Sequence, residues 1–499
     1  MTATCPFKFC SYNGSTVRPA IRLPRNPSTL DESICGPKRT GILCGKCAQG
    51  YTAYYHSPYY SCSEERLCNW GWLFYILSEI MPVSLLFMLV LIFNISFTTG
   101  TVNGFILFSQ LLDTLQINTS YCGENPFVWG YQIIYGFFNM EFFNIDPLSF
   151  CIWKHATVLH VLTFKYMTIA YALFLVFCLV LFMKYCGHRC LGKCIRITTV
   201  RNSVIHGLAA FLVICYGQCI KVSLSLLLPD IPHARRKHHH AFRVLLNGEI
   251  EYFSKEHFPY AAPAILCLLT IGAVPPTLLL AYPLTNRLLT LCHISDSSFV
   301  TSVSRKISIS KLKPFLDSFQ GCFKDNFRFF SGFYFVYRWV GLAAYALCSH
   351  DSGFYSVLES MLVAILTVHA MAQPYESRWH NIIDAFLLAN LLFVNGFSGF
   401  NYYYSRKTDG KRCDKIIKRT SIAQTIIVYL PIFYMVTYLV ASVCKKYCGW
   451  KKEVFRKSNT QVCIPVEDFP ARLLGGDIEY NEVNGSSPFQ SPSPSPVDL

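Results

Sequence analysis

The side chains with reactive chemistry in this sequence are mostly thiols. Of its 23 cysteines, Cys5, Cys10, Cys35, Cys44, Cys47, Cys62 and Cys68 all precede Trp70. The tightest group lies in CGPKRTGILCGKCAQGY, residues 35–51. Thiols so spaced either close disulfides or hold zinc. Cys44 and Cys47 have knuckle spacing, but no second Cys or His pair stands at ligand distance, and the spacing favours an oxidised, extracytoplasmic segment. Two later sets sit beside apolar runs among basic residues: Cys186, Cys190 and Cys194, next to His188 and Lys193, and then Cys444 and Cys448. Zinc with His188 is one use of the first set, but juxtamembrane cysteines of this kind more readily accept S-palmitoylation, and all five are acylation candidates. His238, His239 and His240 beside Arg235, Arg236 and Lys237 read as a solvated basic loop rather than a pH sensor or metal site. No phosphate-binding loop, nucleophile elbow or helical His-Glu-x-x-His is present, and no loop gathers paired carboxylates. Neither an enzyme nor a resident metal or cofactor is expected.

These thiols need elements to position them. In residues 35–62, Cys35 and Cys44 bracket Thr40-Gly41, two residues separate Cys44 from Cys47, and Gly50-Tyr51 precede Cys62. This order resembles the second half of a laminin-type EGF module. The resemblance implies bridges from Cys35 to Cys44 and from Cys47 to Cys62, with the glycines permitting the turns that such short loops require. Cys5, Cys10 and Cys68 remain over, so one pairs with a loop cysteine or with a segment outside this chain. Met1 is followed by no basic, apolar leader, and the reading is of a chain that begins inside an ectodomain.

The rest is membrane-class sequence. Of 499 residues, 52% are hydrophobic and 15% charged, and several apolar runs are long enough to span a bilayer. The formal net charge of +15 comes from Lys and Arg beside those runs, which suits anionic headgroups and topology and argues for the lipid bilayer, not nucleic acid, as partner. Spans are expected near 71–97, 157–183, 204–228, 259–285, 330–349, 354–372, 382–400 and 421–444. A ninth, TVNGFILFSQLLDTLQI at 101–117, is short and carries Asp113, so it can also be read as re-entrant or interfacial. The loop bias of basic residues, the sequon at Asn118 and the Ser-Pro-rich tail together favour nine crossings. Sequons begin at Asn13 and Asn118, both glycosylation candidates. The expected fold is therefore an all-α polytopic membrane protein of about nine transmembrane helices with a small disulfide-rich EGF-like N-terminal module. Residues 1–69 form the extracellular region, 70–444 the membrane domain and 445–499 a cytoplasmic tail, disordered from about 458.

Further along, GFFNMEFFNIDPLSFC, LNGEIEYFSKEHFPY, LDSFQGCFKDNFRFFSGFYFVYR and QPYESRWHNIIDAF resemble stations in a poorly characterised family of invertebrate multi-pass proteins that join EGF-like ectodomains to a membrane domain. Similar pairings occur beside transient-receptor-potential-like membrane domains. The resemblance implies this architecture rather than an activity; the disulfide-type module outside and the tail inside are read as a plasma-membrane protein, N-terminus extracellular and C-terminus cytoplasmic, receptor-like or adhesion-like, binding an unknown extracellular ligand. The alternative is a cation channel. Tyr480 in GDIEYNEV and the terminal VDL would recruit a cytoplasmic adaptor. Within the membrane, Arg338 is the costliest residue, and Glu359 across the short SHDSG turn is its expected ion-pair partner. Lys165, Lys221 and Asp384 are expected nearer the interfaces, able to snorkel or reach water.

Overall fold

The computed structural model describes residues 35–41, 44–55, 61–93, 100–115, 134–136, 149–185, 197–229, 242–291, 309–348, 353–407 and 411–460, with short stretches at 2–4, 9, 20–22, 130–131 and 138–141. Two compact units result, Met1–Tyr438 and Leu439–Leu499; of the second, only helix up to Thr460 is described.

The module is built from two-residue and three-residue strands, because chain segments this short are held by bridges rather than by ladders. β1 (Thr2–Thr4) pairs with β2 (Ala20–Arg22), β3 (Arg39–Thr40) with β4 (Lys46–Cys47), and β5 (Tyr51–Ala53) with β6 (Cys62–Glu64), all antiparallel. Gly41 and Gly50 turn the chain with φ of +81° and +82°, a region that costs a residue with a Cβ. Disulfides join Cys35 to Cys44 and Cys47 to Cys62, with Cα atoms 5.4 and 5.6 Å apart. A third joins Cys68 to Cys151, so the partner of one leftover cysteine is a loop cysteine of this chain.

Ten helices follow. α1 (Gly71–Tyr75) continues through a widened turn (Ile76–Ile80) into Met81–Phe93. α2 is Gly100–Thr114, α3 Val158–Tyr185 and α4 Ile197–Leu226. A hairpin, β7 (Arg243–Val244) with β8 (Asn247–Glu251), precedes α5 (Phe258–Cys267), which passes through a widened turn (Leu268–Ala273) into Val274–Leu291. Both widened turns sit just before proline, at Pro82 and at Pro275-Pro276. Proline has no N–H to give and its ring crowds the carbonyl four residues back, so the helix opens there instead of breaking. α6 is Ile309–Gln320, α7 Phe330–Cys348, α8 Gly353–Ala372, α9 Arg378–Lys407 and α10 Lys411–Thr460.

Seven of these helices (α1, α3, α4, α5, α8, α9 and α10) contain windows long and apolar enough to cross a membrane. The two further spans of the expected nine fall on α2 and α7. α7 is diluted by Arg338 and three tyrosines. α2 has 15 residues, about 22 Å at 1.5 Å per residue, short of a hydrocarbon core of about 30 Å. It is not interfacial: from Gly100 to Leu112 every residue but Asn103 is buried, the mark of a helix enclosed on all sides.

The module is not a tethered bead. Ala53 N donates to Ala156 O (3.0 Å), and Tyr55 and Phe150 exchange both backbone hydrogen bonds (2.8 and 3.1 Å). Gly45 runs so close to the hairpin that a Cβ there would lie 2.8 Å from the Cα of Asn247, and Lys46 pairs with Glu249. One hydrophobic core takes in Cys35, Cys44, Ala53 and Tyr55 of the module, Val158, Leu159 and Leu162 of α3, Val222 and Leu226 of α4, and Ala264 of α5.

Candidate functional site

Burying α2 brings its polar side chains into the centre of the bundle, where each must find a partner or leave a costly gap. The sequence signal for this packing is Gly100-Thr-Val-Asn-Gly104, two glycines one turn apart on one face, as in close helix–helix crossings. A Cβ on Gly104 would collide with Asp384 Oδ1 of α9, and one on Gly100 would press on the Tyr375 ring. Near the other end of α2, Gly217 of α4 makes room for Gln110, whose Nε2 donates to the carbonyls of Val213 (2.9 Å) and Ile214 (3.3 Å).

Two charged clusters flank this helix. At the Gly100 end, Arg338 of α7 is fully buried; its Nη2 donates to Asn103 Oδ1 at 3.0 Å, and its guanidinium stands 5.2 Å from the Phe335 ring centroid. Among the described residues no acceptor meets its Nε or Nη1. Asp384 lies alongside, its Oδ2 accepting from Tyr334 OH and 3.2 Å from His369 Nδ1. The turn between α8 and α9 closes this end. Pro374 stops α8, Asn381 hydrogen bonds both N and O of Tyr375 (3.0 and 2.9 Å), and the Tyr375 ring stacks on Phe323 at 4.7 Å.

The second cluster lies ten residues along α2, about 15 Å away at 1.5 Å per residue. Asp113 pairs with Lys221 of α4, which also meets Glu141 Oε1 and Oε2 at 3.2 and 3.3 Å, and Lys165 of α3 reaches Glu141 Oε1 at 3.0 Å. Two ammonium groups face two carboxylates, so this cluster is balanced. Burial alone would push the Glu141 carboxyl up, but Lys165 and Lys221 outweigh it and hold the group well below the usual carboxylate range.

The expected intramembrane pair is not formed. Glu359 is exposed, while α8 buries Phe354, Leu358, Leu362, Ile365 and His369. That stripe fixes the helix's rotation, and Glu359, one residue past Leu358, is turned about 100° away from it. Arg338 instead faces α2 and Asn103. Lys165, Lys221 and Asp384 are likewise not snorkelling groups but paired members of the two clusters. In the turn between α8 and α9 Tyr375 is buried, while Trp379 at the start of α9 is 72% exposed. Cys444 is an exposed free thiol on its helix, and Cys448 lies in the same helix with its side chain outside the described residues. Cys186, Cys190, Cys194, Asn13 and Asn118 also lie outside the described residues.

No protein-family model, curated protein or solved structure matches the chain.

Proposed function

We propose that this is a receptor-like, multi-pass cell-surface protein, in which the disulfide-stapled module receives an extracellular ligand and passes the event directly into the membrane helices. The observation that carries this reading is the single core shared by the module and the ends of α3, α4 and α5. A module hung on a flexible linker could bind without informing the bundle; here any shift of Tyr55 or Ala53 displaces residues packed on Val158, Leu162 or Leu226. The laminin-EGF-like cysteine order supports an extracellular module, and the adaptor-like tail features complete the reading.

Nine crossings belong to the same proposal, with the module outside and the tail in the cytoplasm. α2 supports it: Gly100 packs near the turn joining α8 and α9, whereas Asp113 pairs with Lys221 near the end of α4 that contacts the module. A single-domain antibody raised against residues 35–68 serves as surrogate ligand for the full chain in lipid nanodiscs. Hydrogen exchange should then change beyond the epitope, at the module-facing ends of α3 and α4; a change confined to the module refutes the coupling. The polar axis along α2 favours a second reading, a cation channel. A conductance in patch-clamp recordings that substitution of Gln110 or Asp113 abolishes would replace the receptor reading by that one.

A further inference from the structure

The β7–β8 hairpin and the turn that follows it close the end of α4. A helix leaves its last carbonyls without partners of its own. Here three consecutive carbonyls are met from this segment: Leu226 O by His257 Nε2 (3.0 Å), Leu227 O by the Tyr252 hydroxyl (2.7 Å) and Leu228 O by Leu245 N (3.0 Å). His257 is fully buried, and its Nδ1 accepts the Phe253 N–H at 3.1 Å. To make that bond Phe253 takes a φ of +59°, a region that a bulky side chain rarely occupies. Backbone cost of this kind is kept where the placement of the residue serves something. What it places is a ring: Phe253 stands against Tyr252 and His257, with centroids 4.6 and 5.9 Å away, yet 54% of the residue is exposed. Phe258, the first residue of α5, and Phe242, whose carbonyl accepts from Tyr252 N at 2.7 Å, are exposed as well.

We propose that Phe253, with Phe242 and Phe258, docks into the bilayer surface at the headgroup-to-acyl boundary of the leaflet on the module's side, and that this turn thereby ties the leaflet to the end of α4. The inference rests on α5 crossing a bilayer and not on the receptor reading. Depth argues for lipid as the occupant. The apolar window Phe258–Ala281 has 24 residues, about 36 Å at 1.5 Å per residue, and so overreaches a hydrocarbon core of about 30 Å. Phe258 therefore lies at the boundary, and the Phe253 ring, packed on the residue before it, lies close by. The lipid-facing side of α5 points the same way: Phe258, Ile265 and Leu269 are exposed at helical spacing, so that side runs up into the turn. Lys255 and Glu256, both exposed, cancel in charge, which makes the contact apolar and indifferent to anionic headgroups. Aromatic rings seated at this level recover the burial they forgo in water. The consequence reaches α2 because the carbonyls held by His257 and Tyr252 lie within two turns of Lys221, the partner of Asp113.

The test uses the full chain in phosphatidylcholine nanodiscs, with photoreactive p-benzoylphenylalanine in place of Phe253, Phe258 or, as the control, Lys38, an exposed residue of the module. After irradiation and digestion, mass spectrometry should find phosphatidylcholine adducts at 253 and 258 well above those at 38, and the yield should not change when phosphatidylserine is added. An adduct at 253 confined to the chain itself, or lipid labelling there no greater than at 38, overturns the proposal and leaves the rings free for a protein ligand. Phe253→Gly suits the +59° φ and removes only the ring, so it answers the question if the bulkier analogue misfolds. Amide exchange over 222–228 should rise about tenfold over the parent in nanodiscs and match the parent in lipid-free amphipol. No rise in nanodiscs, or a rise of equal size in both media, shows that the ring packs only on its own chain and likewise overturns the docking.

Discussion

Replacing Asn103 by Leu tests how the buried guanidinium is held. Asn103 offers Arg338 two acceptors, the side-chain Oδ1 at 3.0 Å and the backbone carbonyl at 3.5 Å, and only the first is lost on substitution. A hydrogen bond to a charged group contributes about 1.5–3 kcal/mol, so the folded-to-unfolded ratio should fall roughly ten- to a hundredfold. Leu has the same number and branching of side-chain heavy atoms as Asn, which keeps the change of shape small. Adding Arg338→Met should recover much of the loss, because it removes the charge together with its partner. Unfolding of the purified protein by SDS titration in mixed micelles reads each free energy, and the four proteins form a double-mutant cycle. Glu359→Gln is the control and should be neutral, since Glu359 is exposed and far round the helix from the Arg338 side. Asn103→Leu without effect, or Glu359→Gln as damaging as Asn103→Leu, would refute this account.

The disulfides should rank by the chain they close. In the chain-entropy treatment, closing the 83-residue separation of Cys68 and Cys151 restricts the unfolded chain by about 4.5 kcal/mol, against about 2.6 for the 9-residue separation of Cys35 and Cys44. The first is a ceiling, because residual helix in the unfolded state at α1 and α2 shortens the flexible loop; paired Cys→Ser variants compared by thermal unfolding should still put Cys68–Cys151 first. Glu141 should confer an acid sensitivity. Its carboxyl is held below the ordinary value of about 4.3, so its stabilising contribution is full above that pH and is lost as acidification proceeds toward the depressed value. Glu141→Gln should be less stable than the parent at neutral pH and should flatten the decline in thermal stability below about pH 4.3, read by the melting temperature across a pH series.

Hydropathy located the helices well because lipid imposes a one-dimensional constraint: a run must be apolar and about 20 residues long. The ends of α8, expected at 354 and 372, are Gly353 and Ala372. The two bridges within residues 35–62 are the pair that the resemblance to the second half of a laminin-type EGF module implies. What hydropathy cannot supply is rotation about a helix axis. The short SHDSG turn brings Arg338 and Glu359 onto neighbouring helices but does not set their rotation, and the Phe354–Leu358–Leu362–Ile365–His369 stripe, visible in the sequence as a helical period, turns Glu359 the wrong way. Glu141 and Asp113 were missed as partners of the two lysines because they come from a loop and from the short helix, separated from Lys221 by 80 and 108 residues.

The shared core and the polar axis meet in α4. Val222 lies in the core that includes the module, and the preceding residue, Lys221, holds Asp113 of α2 and Glu141. One turn earlier, Gly217 receives Gln110 of α2, whose amide is bonded to the α4 carbonyls. A helix is stiff over one turn, so the module-facing end of α4 cannot follow a displaced module without dragging Lys221 and the Gln110 contacts with it. A lipid-facing α2 could slip by exchanging one apolar neighbour for another. A buried α2 tied by ion pairs and backbone hydrogen bonds has few alternative positions, each requiring its partners to be exchanged together. That is the condition under which a small shift at the module becomes a discrete change at Asp384 and Arg338, on the far end of the same short helix.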